Sequence, residues 1–186
     1  MLTVCMVFLP ACLRIPKIKS IHEAPMFTEN DVEKANGPIV FSARKLTQEE
    51  ALCHVGLDPI KFNLGTPWIV SFTNTGRDYF YLTDKSWSPA IIDPSVIIEK
   101  FHNYCCFFIS PFKKGIYLIN RDELQQLLTT LHENLLPFTA TLYPECNFQG
   151  IVFFPEKESY DWSHVTLYNT HNNPYIFTIN SENTYE

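Results

Sequence analysis

The sequence predicts an α+β domain, a mostly antiparallel sheet with two or three helices packed on it. Three observations carry this. Helical signals are few but well capped, and the strongest puts Leu124, Leu127, Leu128, Leu131 and Leu135 on one face at 3.6-residue spacing. Short apolar runs bounded by turn residues outnumber the helices. The strands are grouped rather than alternating strictly with helices, which favours α+β over a parallel α/β sheet.

The 186 residues can bury roughly 70% of their unfolded surface, so no disulfide or metal staple is needed. Charged residues make up 18%, below the roughly 25% of an average domain. Aromatics make up 15%, so apolar mass is ample and disorder is expected only at the ends. Net charge is -6. An acidic surface has no pull on phosphate backbones, so nucleic acid is not expected as the main partner. A basic protein is. Residues 1–25 are expected to form an apolar segment and extended arm that can lie outside the folded unit. Residues 26–186 are expected to form one domain.

Along the chain, "MLTVCMVFLPAC" is apolar but shorter than the about 20 residues of a bilayer span, so no transmembrane segment is expected. Leu9 to Cys12 resembles a bacterial lipoprotein cleavage box, which would put a lipid anchor on Cys12 in a bacterial envelope. No Lys or Arg precedes the run and Pro10 interrupts the box, both departures from signal grammar. A first strand, or a start at Met26, is the plainer reading. Residues 13–38 read as an arm with one short helical turn, capped by Thr28 and stopped by Gly37. Residues 39–43 read as a strand. Thr47 and Glu50 form a capping box for a helix that Gly56 stops.

"PWIVSFT" and "YFYLT", joined by "NTGRD", read as a hairpin. Asp93 and Pro94 open a helix through residue 104. "CCFFIS" (105–110) reads as a buried strand and "IYLI" (116–119) as another. Asn120 caps the leucine-rich helix 121–135, which Pro137 ends. Strands follow at 138–143, 150–154, 164–168 and 175–179.

The six cysteines suggest no disulfide framework, since Cys105 and Cys106 are adjacent and no C-x-x-C occurs. Reduced thiols and a cytoplasmic setting follow. Both glycine-rich phosphate loops are absent, and no cofactor is expected. His164, His171 and Asp161 match no standard metal-ligand spacing, and "NTHNNP" reads as a turn.

"SHVTLY" (163–168) carries the sharpest chemical signal. On a strand, His164 and Thr166 share one face. The stretch is similar to one motif of the two-histidine phosphoesterases, in which one His acts as base and the other as acid. That resemblance implies activity on RNA or cyclic phosphodiesters. It also requires a second motif, and the nearest is His54-Val55-Gly56-Leu57, with Gly56 where a hydroxyl belongs. An enzyme through His164, Thr166 and His54 is therefore the alternative rather than the leading expectation.

The leading expectation is a non-catalytic protein-binding domain of adaptor or toxin-immunity type. Glu156, Glu158 and Asp161 form an acidic stretch beside Tyr160 and Trp162, and Trp87 sits in a Pro- and Ser-flanked segment. Exposed aromatics are favoured anchors at interfaces. These six residues are the expected binding set. Residues 79–128 point to the same class. "YFYLTDKSW", "IIDPSVIIEKF" and "CCFFISPFKKGIYLINRDELQQLL" run strand, helix, strand, turn, helix. The order resembles the SseB N-terminal domain family, with Leu82-Thr83 at its first strand-ending step and Ile109-Ser110-Pro111 at the second. Ser110 replaces the family's Asn. The resemblance implies an adaptor or interaction module.

Overall fold

A computed structural model describes residues 17–23, 26–27, 32–109, 119–155 and 162–180. The fold is α+β, with antiparallel sheets and helices packed on one side. The first sheet has the order β1-β2-β3-β7, from β1 (Val32–Asn36), β2 (Ile39–Lys45), β3 (Thr66–Asn74) and β7 (Asn147–Phe154). In the second, β8 (Trp162–Asn169) pairs with β9 (Pro174–Asn180) on one side. On its other side lie β4 (Phe80–Leu82) and β5 (Trp87–Ser88), with β6 (Ala140–Leu142) beyond β4. The helices are α1 (Gln48–Val55), α2 (Pro94–Ile109) and α3 (Arg121–Asn134).

The molecule has three layers because β3 and β7 are apolar on both faces. Val70, Phe72, Val152 and Phe154 join Phe80, Val165, Leu167 and Phe177 in a core between the sheets. Ile69, Ile151 and Phe153 face the other way and join Val55, Ile97, Phe101, Leu124 and Leu131 beneath the helices. A strand buried on both faces reads as a continuous apolar run, as β3 does.

That burial explains one correction. Residues 67–73 and 79–83 do not form a hairpin: β3 pairs with β2 and β7, and β4 pairs with β6 and β8. Buried Asn74 redirects the chain, its Nδ2 donating to the carbonyls of Asp78 at 2.7 Å and Tyr143 at 3.1 Å. The turn residues mark a crossover between sheets.

Two further expectations are overturned. The helical turn over "ENDVEKA" is not formed from Val32 onward. That segment is β1, joined to β2 by a two-residue turn with Gly37 at φ +59°. Pairing with β2, whose Ile39, Phe41 and Ala43 enter the core, outweighs local propensity. Thr28 lies outside the described residues. Likewise 105–109 is not a strand but the end of α2. Ile97, Phe101 and Cys105, four residues apart, share its buried face, and Cys106 is exposed. A short apolar run carries no period that separates buried strand from buried helix. Burial, then the neighbouring Cys106, pushes the Cys105 thiol up to about 11. Residues 110–118, with most of "IYLI", lie outside the described residues.

The leucine-rich helix and α1 form as expected, each with a complete capping box, and Gly56 closes α1 at φ +74°. Glu50 also takes a two-pronged bond from Arg44, at 2.7 and 3.1 Å. The Arg44 guanidinium, ahead of the Thr47 contacts, lowers the Glu50 carboxyl from 4.5 to about 2. A depressed folded pKa gives stability that is present above pH 4.5 and lost as pH falls toward 2. Glu50 is 34% exposed, so water screens the pair and about 1 kcal/mol is at stake. Urea titrations at several pH values should find Glu50→Gln less stable at neutral pH, with the difference closing as pH falls through about 2.

The described part of the arm packs on the helix layer. Ile21 is fully buried, Lys19 N donates to Cys53 O at 3.0 Å, and Arg44 Nε donates to Met26 O at 2.6 Å. The β1/β9 side of the sandwich and the outer edge of β7 carry contacts that discourage edge-to-edge pairing. Lys34 Nζ donates to Thr178 O on β9 at 2.6 Å, and Leu136 N and Ile92 N donate to Ile151 O and Phe153 O on β7.

Candidate functional site

The second sheet has one face in the core and one face outward, and no described helix covers the latter. Val165 and Leu167 of β8 are buried, so His164, Thr166 and Tyr168 face outward. The same alternation turns Ile176 and Thr178 of β9, Tyr81 of β4, Ser88 of β5 and Thr141 of β6 to that face. The register sets His164 opposite Thr178 and Ser88, Thr166 opposite Ile176, and Tyr81 opposite Tyr168 and Thr141. None of these eight carries a fixed charge. Ile176 is 54% exposed and Tyr81 38%. Beside them Tyr79 and Tyr143, both exposed, stack edge to face at 5.6 Å. Among the described residues the result is a partly exposed, aromatic and hydroxyl-bearing surface on a chain of net charge -6.

His164 and Thr166 share this face, as expected for a strand. His164 Nδ1 lies 3.2 Å from Thr178 Oγ1. His54 does not join them. It sits near the end of α1, where its Nδ1 lies 3.0 Å from Lys19 O. The helix layer and the outer face of the second sheet are separated by the first sheet and both cores, so the two rings share no groove.

The expected anchor Trp87 is corrected. It is buried in β5 opposite Val165, with its ring 6.0 Å from Phe154 and 6.4 Å from Phe72. Its Nε1 has no hydrogen-bond partner among the described residues. Ser86 and Pro89 flank this two-residue strand, and the buried ring has a packing role and is unavailable to a partner. Glu156, Glu158, Tyr160 and Asp161 lie outside the described residues, as does Cys12. Trp162 opens β8 opposite Asn180.

The outward residues Tyr81, Thr141, Tyr168, Ile176 and Thr178 were not in the expected binding set. Their signal was the period-two alternation of "FYL", "ATL", "VTLY" and "YIFTI", which separates an outward row from a core row. Asn169 closes the β8–β9 turn by accepting from His171 N and Asn173 N, so "NTHNNP" is a turn. Among the described residues, no three His, Cys, Asp or Glu side chains are grouped to hold a metal ion. No described helix is long and apolar enough to cross a membrane. Comparison with protein-family models, curated proteins and solved structures finds no match.

Proposed function

We propose that this chain is a non-catalytic domain of adaptor or toxin-immunity type that binds a basic protein through the outer face of its second sheet. The observation that carries this is the row of exposed Tyr81 and Ile176 and half-buried Tyr168 among hydroxyls, without a fixed charge and with no described helix over it. Aromatic side chains supply large contact area, and an interface core is depleted of charge. The acidic residues Glu156, Glu158 and Asp161 precede β8 in the sequence, and their charge suits a positively charged partner. The resemblance of 79–128 to the SseB N-terminal domain family implies the same class, although α2 continues where that resemblance calls for a strand. A cytoplasmic setting fits the free thiols of Cys53, Cys105, Cys106 and Cys146.

The alternative is a two-histidine phosphoesterase acting through His164, Thr166 and His54. It needs both rings in one groove, and no further observation favours it.

Ile176→Glu tests the binding reading, because Ile176 is exposed and the change leaves the core intact. Leu52→Glu on α1, exposed on the opposite layer, is the control. Partners crosslinked in lysate and then purified should bind Ile176→Glu at least about tenfold more weakly, a loss of about 1.4 kcal/mol. Leu52→Glu should bind as the parent does. Equal capture by Ile176→Glu and the parent would show the face is not used.

A further inference from the structure

A groove of about 400 Å³ lies where the helix layer meets the β7 edge. Its apolar part comes from Ile98, Leu135, Phe138 and Phe148. Asp93, at the start of α2, and Glu133, at the end of α3, add two exposed carboxylates. Among the described residues no Lys or Arg lines it, and His132 does. The size falls within the roughly 300–1,000 Å³ range of pockets that bury a ligand.

Three features set the charge of what fits. Both carboxylates favour a cation. The groove is bordered by the C-terminal end of α3, the negative end of its dipole. The opposite end, the N-terminus of α2, is already answered by Asp93, whose Oδ1 accepts from Ser95 N at 2.8 Å. An anion would therefore meet two carboxylates, with His132 the one basic side chain among the described lining residues to offset them. The phenylalanines set the rest. A guanidinium pairs with carboxylates in a fixed fork and lies well on aromatic faces, while an ammonium holds its water more strongly.

We propose that this groove takes an arginine side chain of a basic protein segment, with the arginine's stem and an apolar neighbour against Phe138 and Phe148 and its guanidinium at Asp93 and Glu133. The groove is separate from the outer face of the second sheet, so this inference goes beyond the sheet-face reading and can fail or stand without it.

The test is a titration of the whole chain, followed by amide chemical shifts, with acetyl-Leu-Arg-amide and with its citrulline counterpart. Citrulline keeps the shape and removes the charge. The arginine peptide should give saturable shifts confined to Ile98, His132, Leu135, Phe138 and Gln149. The citrulline peptide should bind about tenfold more weakly. Asp93→Asn with Glu133→Gln should weaken the arginine peptide by a similar factor, and Asn at position 93 keeps the helix cap. Added salt should weaken it as well. Ile176→Glu should bind the peptide as the parent does, which separates this site from the sheet face. Absence of saturable shifts, equal binding of both peptides, or shifts centred on Tyr81 and Tyr168 would each overturn the proposal.

Discussion

Replacing Asn134 with alanine should destabilise the chain by about 3 kcal/mol, because it leaves buried polar groups without partners. Asn134 is fully buried at the end of α3. Its Oδ1 accepts from Ile21 N at 3.0 Å, and its Nδ2 donates to Lys19 O and to His54 O, each at 2.7 Å. One amide thus ties α3 to the arm and to the last turn of α1. Lys19 O would keep its contact with His54 Nδ1, but Ile21 N would lose its acceptor inside the core. Each such orphan costs roughly 1–3 kcal/mol. Asn134→Asp should be at least as damaging, since it keeps an acceptor and loses both donors. Urea unfolding should give a lower midpoint with an unchanged slope. Hydrogen exchange at Ile21 should quicken in step with the loss. A loss under about 1 kcal/mol would mean that the arm contributes little to the fold.

Asn134 also indicates what the sequence could and could not convey. A lone Asn at a helix end looks like an ordinary stop signal, and its three partners are 113, 115 and 80 residues away. Capping boxes, by contrast, are local chemistry, and both were legible because every participating residue lies within four positions. The α+β class and β2, β3, β7, β8 and β9 were legible for the same reason, since each carries its own apolar run. The pairing was not. Asn74 and Gly76 signal a change of direction but not which sheet receives the next strand, and the apolar mass of β3 hides its two buried faces. The site divided in the same way. His164 and Thr166 were placed on one strand face from their spacing alone. Their neighbours Ile176, Thr178 and Tyr81 come from other strands, so only the register of the second sheet assembles the surface. Trp87 failed because solvent exposure was inferred from its flanking residues, whereas three-dimensional packing decides burial.

Gly150→Ala carries the second large expected effect, and it depends on space rather than on backbone freedom. Gly150 sits in β7 opposite Val70. A Cβ there would lie 2.7 Å from both Cα and N of Leu136. Leu136 is fully buried, and its N–H donates to Ile151 O at 3.0 Å. The chain leaving α3 is therefore laid directly on the β7 edge, and glycine is the residue that permits this approach. A methyl group cannot be relieved by a rotamer change, because the nearest atoms are backbone. The strand and the crossing segment must move apart, which strains the 3.0 Å bond between Leu136 N and Ile151 O. Overpacking of about 1–3 kcal/mol, with about 1 kcal/mol for the weakened bond, gives an expected loss near 3 kcal/mol. Thr141→Ala, an outward change on the second sheet, should cost under about 0.5 kcal/mol by the same unfolding measurement. The displacement has a direction as well as a cost. Leu135, Pro137 and Phe138 flank Leu136 and line the groove at the β7 edge. Folded Gly150→Ala should therefore take up the arginine peptide more weakly, while partners of the outer sheet face bind it as before. A variant that loses stability but keeps the peptide would show that the crossing segment moves away from the groove rather than into it.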